Sequence, residues 1–251
     1  MNIISAKDYQ DISLKASEFV IQTIKELDKP VLGLATGSTP EGLYKCLIDR
    51  NNEKQVSFQE VTTFNLDEYV GLTANHPNSY RYYMNEKLFQ HIDISIENTH
   101  IPNGSAKDLE KECVAYEELI QQHNCIDLQI LGIGHNGHIG FNEPGTSFTT
   151  RTHLVELAET TRKANARFFN SWEEVPSQAI TTGIGTIMDS KQILLLVSGE
   201  DKAEALNRLL DGEISEEFPA SVLKEHPNVT VIADEAALSK VQRNKKTWRH
   251  D

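Results

Sequence analysis

Cysteine is scarce and shows no pairing pattern: Cys46, Cys113 and Cys125 are the only three in 251 residues, and no C-x-x-C spacing occurs. This excludes a disulfide framework or a zinc knuckle and fits a reduced compartment. The N-terminus MNIISAKDYQ carries charge where a secretory leader needs an apolar core, and nowhere is there a run of about eighteen apolar residues. The expectation is a soluble, cytoplasmic protein. Basic residues are in deficit, 24 against 37 acidic, for a formal net charge of -13. Such a balance repels nucleic-acid backbones and anionic membranes, so neither is an expected partner. The exception is the stretch from Lys240 to Arg249, with five basic residues; it reads as a solvated, flexible tail over 240–251. No Pro/Ser/Gly-rich linker, internal repeat or low-complexity segment interrupts the chain, so residues 1–251 read as one domain.

What is present is an alternation of short apolar runs with longer segments of helical period, the pattern of a mostly parallel sheet flanked by crossover helices. Strands are predicted at 31–37, 61–69, 128–134, 193–199 and 229–234, and helices at 6–27, 40–49, 78–91, 107–122 and 201–210. Ser5 and Asp8 suit a capping box for the first helix. Thr39 suits the N-cap of the second, with Pro40 as its first helical residue. In open α/β sheets ligands bind beyond the carboxyl ends of the strands, and the polar segments TGSTP, HNGHIGFNEPG and GEDK follow predicted strands while LDEY ends one.

In ATGSTPEGLY, a strand leads into Thr36, Gly37, Ser38 and Thr39 and then a helix, so free backbone N–H groups and hydroxyls meet the positive end of the helix dipole. The alternative is an ordinary turn with an N-cap. The segment has neither the G-x-G-x-x-G of dinucleotide folds nor the G-K-[ST] of P-loops, which favours a sugar monophosphate over a nucleotide. Asp67 and Glu68 fall at a strand end, where only one of two successive side chains faces a given site; a carboxylate there can take a proton from carbon beside a carbonyl or imine. The stretch GIGHNGHIGFNEPG (132–145) wraps flexible backbone around His138, with Asn136 and Glu143 both able to hold one ring nitrogen. Zinc on His135, His138 and Glu143 is the competing reading. The spacing is not H-E-x-x-H, however, and the expectation is no metal. Arg167 and Lys202 are candidate anion ligands, Lys202 because it lies in a first helical turn where the dipole opposes a cation unless an anion offsets it.

LGLATGSTPEGLY, FNLDEYVGL, NSYRYYM, GIGHNGHIGFNEPG, ANARFF and TTGIGTI, in this order, resemble the glucosamine-6-phosphate deaminase family over nearly the whole chain. The resemblance implies a Rossmann-like α/β fold and conversion of glucosamine 6-phosphate and water to fructose 6-phosphate and ammonia without an organic cofactor. It implies that Asp67 is the base at C2, that His138 opens the pyranose ring, and that Glu143 is its carboxylate partner. The phosphate site it implies is Thr36, Gly37, Ser38, Arg167 and Lys202, with Arg167 on a lid. Asn136 stands where some members have Asp; an amide carries no compensating charge, so the relay is expected to lean on Glu143. Allosteric, hexameric members have a basic pair where RTHLVEL offers His153 and Val155, and the sequence stops soon after VTVIADEAAL. The expectation is an enzyme without activation by N-acetylglucosamine 6-phosphate and with a monomer as its simplest assembly. The rival readings are 6-phosphogluconolactonase, of related fold, and a non-catalytic sugar-phosphate sensor, which would need a helix-turn-helix segment.

Overall fold

The computed structural model describes residues 1–157, 159, 162–163, 166, 169–241 and 248–249. Its main sheet contains β1 (Asn2–Ala6), β2 (Val31–Leu34), β3 (Thr62–Asn65), β5 (Thr99–His100), β6 (Leu128–Leu131), β9 (Gln192–Val197), β10 (Val229–Asp234) and β11 (Trp248–Arg249). The spatial order is β11-β1-β10-β9-β6-β2-β3-β5, and every pair is parallel. From β2 the chain winds outward through β3 to β5. After β6 it winds the other way through β9 to β10, so the winding reverses between β2 and β6. A crevice opens at such a reversal, beyond the carboxyl ends of the two strands.

The helices whose full extent lies among the described residues include α1 (Tyr9–Glu26), α2 (Glu41–Asn52), α3 (Tyr80–Lys87), α4 (Leu109–Gln122), α5 (Ile184–Met188) and α6 (Ala203–Asp211). Alternation along the strands divides the core between the two faces of the sheet. Leu194, Leu196 and Ile232 pack with Ile12, Val20, Leu43 and Met84 from the first three helices. Ile193, Leu195 and Val231 pack on the other face with Ile187, Leu206 and Leu209. Among the described residues, no helix is long and apolar enough to cross a membrane.

Several local expectations are corrected. Residues 2–6 form β1, with Ser5 in register with Ala233, so Ser5 does not cap α1. Asp8 is the N-cap and accepts from the Asp11 N–H at 3.0 Å. Pro40, not Thr39, occupies the N-cap of α2, without a side-chain cap. The predicted strand 61–69 breaks at Leu66: β3 stays in the main sheet, while β4 (Asp67–Tyr69) joins β8 (Gln178–Thr181) and β7 (His153–Glu156) in a separate antiparallel sheet. This second sheet turns the end of the 61–69 segment over the crevice. In the basic C-terminal segment, Lys240 pairs with Glu204 at 3.1 Å and residues 248–249 lie beside β1; 242–247 and 250–251 lie outside the described residues.

Candidate active site

The loops after β2 and β6 face each other across a cleft of about 260 Å³, completed by Asp67 from β4, Tyr80 from α3 and Lys202 at the start of α6. Five segments of the chain thus meet at one rim, where the winding of the sheet reverses.

The β2 loop contributes Thr36, Gly37 and Thr39 to the lining. Gly37 has φ +93°, a left-handed conformation that a Cβ would strain, and this turn redirects the chain from β2 into α2. Ser38, also expected here, is exposed and absent from the lining; its carbonyl accepts from the Tyr9 hydroxyl at 2.8 Å. Lys202 sits at the N-cap of α6 and faces the cleft. Burial pulls its pKa below that of a free lysine, with Asp201 partly opposing the effect. Arg167, the other expected cation, lies outside the described residues.

Asp67 and Glu68 divide as strand geometry requires. Asp67, 7% exposed, lines the cleft and accepts no hydrogen bond from a described residue. Burial first, and the neighbouring Glu68 charge second, push its pKa up to about 8. Glu68 turns the other way. Its carboxylate accepts from the backbone N–H groups of Tyr69, Tyr80 and Arg81 at 2.8, 2.9 and 3.0 Å, tying β4 to the N-terminus of α3. Burial raises the Glu68 pKa, and those three bonds work against the rise.

His138 is held by a chain of side chains. Its Nδ1 lies 2.8 Å from Asn136 Oδ1, and Asn136 Nδ2 donates to Glu143 Oε2 at 2.6 Å. A carboxylate only accepts, so the Asn136 amine faces Glu143 and its oxygen faces His138. In the neutral ring this geometry puts the proton on Nδ1 and leaves Nε2 as the acceptor. Of the two groups expected to hold the ring, the amide is the nearer partner, while Glu143 Oε1 is 3.5 Å from Nδ1. Gly134 is needed beside the ring, because a Cβ there would lie 2.2 Å from His138 Cε1. His135 turns to Asp201 instead, at 2.9 Å. Among the described residues no group of three metal-ligating side chains converges.

Tyr80 and Phe141 escaped the sequence reading. They stack at 11° with ring centroids 6.2 Å apart and give the cleft an aromatic wall. The available signal was Ser79, which caps α3 by accepting from the Tyr82 N–H and so places Tyr80 at the first helical position.

Residues 7–232 match the family model described as glucosamine-6-phosphate isomerases/6-phosphogluconolactonase. A glucosamine-6-phosphate deaminase of Oceanobacillus iheyensis is 62% identical over 241 residues, covering 96% of each chain. Glucosamine-6-phosphate deaminase 1 of Bacillus subtilis is 54% identical, covering 95% of this chain and 99% of its own. A solved structure described as a monomeric glucosamine-6-phosphate deaminase superposes with a TM-score of 0.93 at 54% identity, covering 96% of this chain and 100% of that one. The 6-phosphogluconolactonase of Thermotoga maritima, at 22% identity and a TM-score of 0.73 over 93% of this chain and 99% of its own, shares the fold. Over nearly its whole length, the chain belongs to the glucosamine-6-phosphate isomerase/6-phosphogluconolactonase family.

Proposed function

We propose that the chain is a glucosamine-6-phosphate deaminase, converting glucosamine 6-phosphate and water to fructose 6-phosphate and ammonia. The observation that carries this reading is the buried Asp67 carboxyl, free of hydrogen bonds from described residues, in the same cleft as a histidine whose Nδ1 is already occupied. His138 Nε2 takes the proton of the anomeric hydroxyl and returns one to the ring oxygen, opening the pyranose. Glu143, acting through Asn136, offsets the imidazolium charge that forms in transit.

In the open chain Asp67 removes the C2 proton, giving an enolamine, and delivers a proton to C1. The resulting C2 iminium adds water and releases ammonia. The carboxylate form is required for the first step, and the substrate's own ammonium at C2 favours that form when bound. Thr36, Gly37, Thr39 and Lys202, with Ser38 flanking and Arg167 added from the segment outside the described residues, would hold the phosphate. Binding energy gained at C6 then orients C1 and C2.

Lactone hydrolysis is the rival within the family. It needs no base at C2, and the relatives at 54–62% identity carry the deaminase name. The two readings separate when the purified chain is given glucosamine 6-phosphate and 6-phosphogluconolactone side by side. Equal amounts of ammonia and fructose 6-phosphate from the first, with background rates on the second, support the deaminase; the reverse pattern rejects it.

A further inference from the structure

Three tyrosine hydroxyls, one from each of α1, α2 and α3, converge on the carbonyls of the β2 loop. Tyr44 donates to the Ala35 carbonyl at 2.5 Å, Tyr83 to the Gly37 carbonyl at 2.6 Å, and Tyr9 to the Ser38 carbonyl at 2.8 Å. The Tyr9 oxygen also accepts the Gly42 N–H at 2.8 Å, which ties α1 to the first turn of α2. Burial holds the phenol pKa values of Tyr44 and Tyr83 above the ordinary range, so both remain protonated donors. None of the three rings lines the cleft.

No peptide bond in the described chain is cis. In a trans unit the carbonyl and the N–H that follows it point in opposite directions. Drawing the carbonyls of Ala35, Gly37 and Ser38 toward the tyrosines therefore turns the N–H groups of Thr36, Ser38 and Thr39 away from them. These three N–H groups donate to no acceptor among the described residues, although the loop is otherwise well tied down. Thr36 and Thr39 are half-buried and Ser38 is exposed, so these N–H groups, left without an internal acceptor, are open to a ligand or to water at the mouth of the cleft. A glycine-containing loop without such restraints samples other peptide orientations, and a flipped unit would present a carbonyl oxygen to an anion.

We propose that Tyr9, Tyr44 and Tyr83 are positioning residues: they fix the peptide planes of residues 35–39 so that the loop's N–H groups are directed at the substrate phosphate before it arrives. The benefit is preorganisation, since the loop has less freedom left to lose on binding. The proposal rests on the reading of this loop as the phosphate cradle, and its test separates the two.

The full chain is compared with Tyr9→Phe, Tyr83→Phe and the double variant; Tyr44→Phe is made separately because Tyr44 is fully buried. Inorganic phosphate binding is measured by calorimetry, and KM and kcat are measured with glucosamine 6-phosphate. Each lost hydroxyl is expected to weaken phosphate binding and raise KM by about threefold to tenfold, with kcat nearly unchanged. A purely structural role would lower the melting temperature and the active fraction while leaving phosphate affinity and KM in place, and that result overturns the proposal. Gly37→Ala, which strains the loop itself, is the control. If it weakens phosphate binding and the tyrosine double variant does not, the cradle stands and the positioning role fails. If neither changes phosphate binding, the cradle reading fails with it.

Discussion

Asp67 and Glu68 are consecutive on β4 and face opposite ways: the first lines the cleft, while the second accepts three backbone N–H bonds at the start of α3. One peptide thus joins a reactive carboxyl to the anchor that places Tyr80, and the anchor's charge helps raise the pKa of its neighbour.

That coupling sets a pH dependence. An Asp67 pKa near 8 places the acid limb of kcat/KM in the free enzyme far above the ordinary aspartate range. Glu68→Gln removes a negative charge that disfavours ionisation of Asp67, so the acid limb moves to lower pH. The pH–rate profiles of the two proteins, measured alongside their melting temperatures, check this; a limb that stays in place contradicts the coupling.

Asp67 also bears on stability. Its folded pKa exceeds the unfolded one, so between about pH 4 and pH 8 the native state holds more protons than the unfolded chain. Asp67's contribution to stability therefore falls as pH rises through that window. Asp67→Asn removes the cost and should melt higher than the parent at pH 8, by about 2–4 °C for each kcal/mol relieved. The gain should shrink toward pH 4. Thermal unfolding at both pH values measures it, and a variant less stable at pH 8 would contradict the assignment.

Glu143→Gln keeps an oxygen that can accept from Asn136 but loses the charge opposite His138. Turnover should fall by about a hundredfold with little change in KM, because the lost interaction matters most when the imidazolium forms. Steady-state kinetics decide; a variant with raised KM and intact kcat would place Glu143 in substrate binding instead.

Residues 153–156, which carry His153 and Val155, form β7 of the second sheet, and the His153 ring bonds the Arg151 carbonyl at 2.8 Å. We expect hyperbolic kinetics unaffected by N-acetylglucosamine 6-phosphate and a monomer by light scattering. A hexamer, or sigmoidal kinetics relieved by that compound, would contradict this.

The central strands were legible because they are buried on both faces and read as continuous apolar runs, as in ILLLV at 193–197. The short strands were not: β1 is half-buried and runs almost directly into α1, so its Ser5 looked like a cap. The change of sheet at Leu66 left no mark in FNLDEY, since a strand that passes from one sheet to another keeps its alternation. The sequence supplied Asp67, Asn136, His138, Glu143 and Lys202 as candidates. It did not supply the tautomer of His138, which depends on Asn136 bridging to Glu143, or the Tyr80–Phe141 wall, which forms between residues 61 positions apart.

The most direct test of the account is to measure ammonia and fructose 6-phosphate in the same reaction, starting from glucosamine 6-phosphate, for the parent and for Asp67→Asn. The account predicts equal amounts of both products from the parent and a loss of about a thousandfold or more in the variant, which keeps its fold. A folded parent that makes neither product, or a variant that retains parental turnover, would contradict it.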